Sequence, residues 1–78
     1  MPEEQNLITG LDEFGKVEQN EKKDGKYHFK ITDGFKTTAT NCGKLFNLIL
    51  SEIPEKNLVI EKFITDNNLY HLILKVKL

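Results

Sequence analysis

The sequence predicts a small, mainly β domain of the α+β class, with five short strands forming a barrel and one helix between strands three and four. Two pairs, Asp24-Gly25 and Asp33-Gly34, supply the positive-φ residues that tight hairpin turns require. Apolar and polar side chains alternate over 26–32 and 69–78, as they do in half-buried strands. Residues 42–53 instead carry apolar side chains at helical spacing. The predicted order is therefore β-β-β-α-β-β.

The first three strands are predicted at about 16–22, 26–32 and 35–41, and only Val17 anchors the first. In the second strand Tyr27, Phe29 and Ile31 share one side, and Lys26, His28, Lys30 and Thr32 share the other. A three-residue loop with a bulge at Asp33-Gly34-Phe35 keeps one face of the next hairpin apolar. That register places Lys36 and Thr38 on the basic side.

The helix is predicted from Cys42, Leu45, Phe46, Ile49 and Ile53, which follow i, i+3, i+4, i+7, i+11 spacing. Thr40 or Asn41 can cap its start, and Pro54 ends it because the residue before a proline avoids helical geometry. We expect Phe46 and Ile49 in the core. A rival interpretation takes "KLFNLIL", residues 44–50, as a buried strand.

The chain is predicted to close with a hairpin that turns around Asp66-Asn67-Asn68. Its last strand alternates strictly, with Tyr70, Leu72, Leu74 and Val76 on one side and His71, Ile73, Lys75 and Lys77 on the other. In the preceding strand Leu58, Ile60 and Ile64 lie at alternate positions and would share one side of the strand, whereas Phe63 would lie on the other side. The pattern thus predicts strands on both sides of the turn.

A chain of 78 residues is long enough for one small domain, expected over 11–78, after an acidic tail or short pairing segment at 1–10. No apolar run approaches the ~20 residues that span a bilayer. The N-terminal stretch lacks the basic start and apolar core of a signal peptide. We therefore expect an intracellular protein, in the cytoplasm or nucleus, without a membrane association.

Nothing in the sequence predicts catalysis, a metal or a cofactor. His28 and His71 have no acidic or cysteine ligands nearby in the predicted strands, and Cys42 is the only cysteine. We interpret Cys42 as a small buried apolar residue. Ser51, the only serine, lies on the helix without a histidine partner. No phosphate-binding glycine loop is present. A non-enzymatic protein is expected.

Charge is unevenly distributed along the chain. Residues 1–24 hold seven acidic residues against three lysines, whereas residues 25–78 hold eight lysines against five acidic residues. All eleven basic residues are lysine. Arginine is the usual side chain for bidentate contact with guanine, so its absence argues against sequence-specific reading of DNA.

The element order is that of oligonucleotide-binding (OB) folds. The stretch "KYHFKITDGF" resembles the Tyr-x-x-x-x-Ser/Thr-Asp-Gly segment in the N-terminal domain of the replication protein A large subunit, and "KFITDNNLYHLILKVKL" is similar to the closing hairpin of that domain. The resemblance covers residues 26–78, but this chain is shorter and its basic residues are all lysine. It implies binding of single-stranded nucleic acid or acidic peptides. Tyr27, Asp33 and Gly34 match as structural positions.

The ligand is therefore expected on the basic face and its adjoining loop, at Lys22, Lys23, Lys26, His28, Lys30, Phe35, Lys36 and Thr38. The lysines would contact phosphate or carboxylate groups, and Phe35 would offer an aromatic platform to a base. The first hypothesis is single-stranded nucleic-acid binding with little sequence specificity. The alternative is an adaptor of the OB or β-grasp type that binds an acidic peptide or partner protein. A small enzyme is the third hypothesis, which no catalytic constellation supports. The face itself is otherwise interpreted as solvated lysines without a ligand.

Overall fold

A computed structural model describes residues 7–77 of the chain. A short 3-10 helix, Leu11–Glu13, precedes strands β1 (Lys16–Lys23) and β2 (Lys26–Thr32), the helix α1 (Ala39–Glu52), and strands β3 (Leu58–Asp66) and β4 (Leu69–Val76). The strands form one antiparallel sheet in the order β1-β2-β4-β3. The α+β class is confirmed. Two hairpins thus lie side by side, and α1 covers one face of the sheet.

The five-stranded barrel is not confirmed, because the described residues form four strands and the sheet is not closed. The strand predicted over 35–41 is wrong: residues 35–38 are irregular and α1 begins at Ala39. At Asp33 and Gly34 φ is 43° and 101°, but the turn leads into the helix rather than into a hairpin. No bulge forms at that turn. The side chain of Phe35 instead enters the core.

The strand neighbours also differ from the prediction. The predicted barrel would place the strand at 16–22 beside both the second strand and the strand after the helix. In the structure β1 pairs only with β2, and β1 and β3 are the two edges of the sheet. Since no third strand occupies the other side of β2, β4 pairs there, for example through Phe29 and Leu72.

The predicted helix is confirmed and the rival strand at 44–50 is excluded. Its N-cap is Thr38, not Thr40 or Asn41, because the Thr38 hydroxyl accepts a hydrogen bond of 3.1 Å from the Asn41 N–H. At the other end Ile53 precedes Pro54 and adopts extended geometry, with φ −77° and ψ 128°. The proline therefore ends the helix as expected.

The core forms where α1 meets the two central strands. Alternate residues of β2 and β4 point toward the helix, which contributes Leu45 and Ile49. Ile49 is fully buried as predicted, whereas Phe46 is only partly covered. The strand residues of this core are Tyr27, Phe29, Ile31, Tyr70, Leu72 and Leu74. Each central strand therefore has one apolar side and one side that faces away from the helix.

A bulge in β3 explains why Phe63 does not follow the alternation of Leu58, Ile60 and Ile64 in the sequence. Ile60 lies opposite Leu74 and Lys62 lies opposite Ile73, so Glu61 is an extra residue in the ladder. After this insertion Phe63, rather than Ile64, returns to the helix side of the sheet. A second irregularity, between Val17 and Gln19, affects β1 in the same way.

The segment that precedes the 3-10 helix lies along the outer edge of β1. The Leu7 N–H donates to the Asn20 carbonyl at 3.0 Å. The Asn20 side chain accepts from the Ile8 N–H at 3.0 Å and donates to the Ile8 carbonyl at 2.7 Å.

The predicted division at residue 10 remains a prediction, because 1–6 lie outside the described residues. Among helices of the described part, none is long and apolar enough to cross a membrane.

We expect Asn20→Ala to lower the free energy of unfolding by about 1–3 kcal/mol, because it leaves two buried backbone groups of Ile8 unpaired. Urea denaturation followed by circular dichroism measures this loss, and faster hydrogen exchange at Ile8 localises it. The neighbouring Gln19→Ala is the control and should change stability by less than about 0.5 kcal/mol. Equal stabilities of the two variants would show that the Asn20 amide does not hold this segment.

Candidate functional site on the open sheet face

The side of the sheet that faces away from α1 is covered by no other element among residues 7–77, and we call it the open face. Its residues follow from the strand alternation and from the register of the three strand pairs. Lysine is the commonest residue on it. In chain order its members are Lys16, Gln19, Glu21, Lys23, Lys26, His28, Lys30, Thr32, Val59, Lys62, Ile64, Asp66, Leu69, His71, Ile73 and Lys75.

A row of three lysines crosses the open face. Lys26 in β2 lies opposite Lys23 of β1 and opposite Lys75 of β4. Directly opposed like charges destabilise a sheet, since cross-strand Cβ atoms are about 5 Å apart. We call Lys23, Lys26 and Lys75 the lysine row. Three cationic side chains thus lie side by side on three neighbouring strands.

A carboxylate of the same chain is bound at the lysine row. Glu61, the extra residue of the β3 bulge, accepts a hydrogen bond of 2.9 Å from Lys26 Nζ through Oε2. This bond lowers the pKa of the Glu61 carboxyl, and the charges of Lys75 and His28 lower the pKa further although desolvation opposes them. The lysine row thus stabilises the negative charge of Glu61, which reaches it from the edge strand.

A second basic pair lies farther along the face, where Lys30 is opposite His71. Lys30 Nζ is 3.7 Å from Oε1 of Glu18, whose Oε2 accepts a 3.2 Å hydrogen bond from the Thr32 hydroxyl. Partial burial lowers the pKa of the His71 imidazole, and the charges of Lys30, Lys62 and His28 lower it further. His71 is therefore held toward its neutral form at physiological pH.

The structure brings together only part of the predicted site. Lys23, Lys26, His28 and Lys30 lie on the open face as expected. Lys22 lies on the other side of the sheet, because it is opposite Tyr27. Its Nζ is 5.2 Å from the centre of the Tyr27 ring, in a cation–π contact.

Phe35, Lys36 and Thr38 lie away from the open face, because the hairpin that would have carried them there is not formed. Phe35 is 0% exposed, and its ring centroid is 6.4 Å from that of Phe14 and 5.3 Å from that of Tyr70. It offers no surface to a base. Thr38 caps α1, and Lys36 lies in the loop before it.

The prediction missed Lys62, His71 and Lys75, which the β3–β4 hairpin adds to the open face. A signal for two of them was present, since His71 and Lys75 alternate with the buried residues of β4. That β4 lies next to β2 was not predicted, and this neighbour relation brings Lys75 to Lys26. Among the described residues the open face contains no phenylalanine, tyrosine or tryptophan, and its only aromatic rings are the imidazoles of His28 and His71.

An apolar groove opens on the other side of the sheet, between α1 and β3. Its volume is about 230 Å³, and it is lined by Cys42, Phe46, Ile60, Phe63, Tyr70 and Leu72. Burial raises the pKa of the Cys42 thiol and of the Tyr70 hydroxyl. Both groups therefore remain neutral at physiological pH. Cys42 is half-buried rather than fully buried.

Within residues 7–77 no group of three or more histidine, cysteine, aspartate or glutamate side chains is placed to hold a metal ion. Comparisons with protein-family models, curated proteins and solved structures found no match. The proposal below consequently depends on the geometry and charge of the open face.

We expect His71 to titrate below its ordinary pKa of 6.5. Lys30→Met should raise that pKa only in part, because burial is the larger cause and persists. Since the folded pKa is below the unfolded value, His71 favours the folded state above pH 6.5, and this contribution is lost as pH falls through the folded pKa. Two-dimensional NMR across a pH series measures the titration.

The matched control for this titration is Lys56→Met, which removes a lysine that does not contribute to the shift at His71. It should leave the pKa of His71 unchanged. A pKa of His71 at or above 6.5 in the unsubstituted protein, or the same effect from both variants, would contradict the electrostatic description of this face.

Proposed function

We propose that this protein is a non-enzymatic binding module that holds an acidic segment of a partner protein on its open face. The observation that carries the proposal is the Glu61 carboxylate at the lysine row, 2.9 Å from Lys26 Nζ. The chain itself uses a carboxylate to neutralise part of that row. An acidic side chain of a partner protein would supply a carboxylate to the same lysines.

The spacing of the lysine row suits an extended acidic segment. Adjacent strands are about 4.8 Å apart, so the Cα atoms of Lys23 and Lys75 are separated by about 10 Å. Alternate side chains of an extended peptide are about 6.7 Å apart along the chain. Two or three acidic residues of one extended segment that runs across the strands can therefore reach the row.

Binding through lysine point charges has predictable properties. Each ammonium offers three donors without the fixed fork of arginine, so it favours carboxylates generally rather than one exact geometry. The side chains of Lys26 and Glu61 are partly exposed, at 39% and 34%, so salt screens their interaction. The affinity should be modest and should fall as the salt concentration rises.

Single-stranded nucleic acid is the second candidate, because the same lysines can contact phosphate groups. The resemblance of residues 26–78 to the replication protein A domain supports either ligand and remains a proposal. Against nucleic acid, stacking of bases on aromatic rings is a main source of single-strand affinity, and the described open face offers only the imidazoles of His28 and His71, with no phenylalanine, tyrosine or tryptophan. Neither ligand requires a closed OB-like barrel.

We expect Lys26→Glu/Lys75→Glu to weaken binding of a short glutamate-rich peptide at least about tenfold, since it reverses two of the three charges of the row. Glu61→Gln should tighten binding by up to about fivefold, because the internal ion pair that competes with the peptide is a weak, solvent-screened one. Fluorescence anisotropy at low and high salt measures the peptide affinity of both variants, and a short single-stranded DNA is the comparison ligand.

The matched control is Lys36→Glu/Lys44→Glu, which makes the same change in net charge at exposed positions away from the open face. It should retain most of the binding. Absence of peptide binding to the unsubstituted protein at low salt would refute the proposal. Tighter binding of the single-stranded DNA than of the peptide would instead favour the second candidate.

A further inference from the structure

We propose that β3 pairs antiparallel with β3 of a second copy of this chain, so that the two four-stranded sheets join into one continuous sheet. The inference is independent of the ligand proposed for the open face. It follows from the state of the two sheet edges, from the side chains that β3 exposes, and from a register in which β3 is complementary to itself.

The two edges of the sheet differ in how the chain covers them. At β1 the segment 7–8 lies along the edge, with the Leu7 N–H bonded to the Asn20 carbonyl at 3.0 Å. The β3 edge is the last strand of the sheet in the described part of the chain. From Ile60 to Asp66 every residue of β3 is exposed. An edge strand of this length is a template for pairing with another strand.

The side chains of β3 are unusually apolar for a solvent-exposed edge. Ile60 and Phe63 are 52% and 47% exposed on the helix side of the sheet, and Ile64 is 40% exposed on the open face. Leu7, at the other edge, is the remaining exposed large hydrophobic residue of the described chain. Ile60 and Phe63 also line the groove beside α1. Apolar surface is therefore concentrated at the uncovered edge, where pairing would bury it.

A two-fold axis between Glu61 and Lys62 makes β3 complementary to itself. Ile60 then lies opposite Phe63 of the second copy on the helix side, and Val59 lies opposite Ile64 on the open face. Lys62 meets Glu61 of the second copy, and each such contact occurs twice because the interface is isologous. Glu61 bonds to Lys26 through Oε2, which leaves Oε1 for the new contact.

The bulge at Glu61 makes this register possible. In a regular strand Ile60 and Phe63 would lie on opposite faces, but the insertion places both on the helix side. A change of the pairing register by one residue, which moves the axis onto Lys62, would place Ile60 on the helix side opposite Ile64 on the open face, which a continuous sheet does not allow. The charges and the apolar side chains thus select the same alignment.

Sedimentation velocity over a dilution series tests the proposal on the full chain. The unsubstituted protein should show a monomer–dimer equilibrium at concentrations below about 1 mM. Ile60→Lys and Phe63→Glu, each alone, should raise the dimer dissociation constant at least about tenfold, because each places a charge against an apolar partner. Both positions are half-exposed in the monomer, so the variants should fold, and circular dichroism checks this.

Mixing the Ile60→Lys and Phe63→Glu variants tests the register itself. In a heterodimer the introduced lysine of one chain faces the introduced glutamate of the other, while the second half of the interface keeps its native contact between Ile60 and Phe63. The mixture should therefore associate more tightly than either variant alone. Leu7→Glu, a matched change at the covered edge, should leave dimerisation unaltered.

Two results would count against the dimer. A monomer at all concentrations up to about 1 mM would overturn the proposal as a whole. A mixture that associates no better than its components would overturn the register with its axis between Glu61 and Lys62.

Discussion

The packing of α1 against the apolar sides of β2 and β4 is the interaction on which the rest of the structure depends. Phe29 and Leu72, which face each other across the two strands, are fully buried beneath the helix. Because successive strand residues point to opposite faces, this contact also determines the outward direction of Lys26 and Lys75. The outward direction of the lysine row is thus a geometric consequence of the core, and the proposed ligand depends on the identity of these residues as lysine.

The extra residue at Glu61 connects the core, the open face and the edge. It returns Phe63 to the helix side of the sheet, where the ring lies edge-on to Tyr70 with centroids 5.3 Å apart. It also directs a carboxylate across β4 to Lys26. A single insertion therefore shapes the apolar edge and partly neutralises the basic row.

Much of the fold could be predicted because local patterns agreed with tertiary structure. The alternation in β2 and β4 and the apolar spacing of α1 each matched the core that forms. The failure at 35–41 arose because Asp33-Gly34 also suits a turn into a helix, and Thr38 supplies the cap that a hairpin would not need. Turn chemistry alone could not distinguish these two continuations.

The candidate site was less predictable, because Lys26 and Lys75 are far apart in sequence and meet only since β2 pairs with β4. Phe35 was assigned to the ligand because its strand was wrong, and its burial is a tertiary outcome.

The binding surface is tested most directly when a glutamate-rich peptide is mapped onto the protein by NMR, following backbone amide and lysine side-chain signals during a titration at low salt. Binding at the open face predicts the largest shifts at Lys23, Lys26 and Lys75, with a change at Glu61 as its carboxylate is displaced. Shifts confined to α1 and the apolar groove, or no shifts at all, would contradict the assignment of the open face as the binding surface.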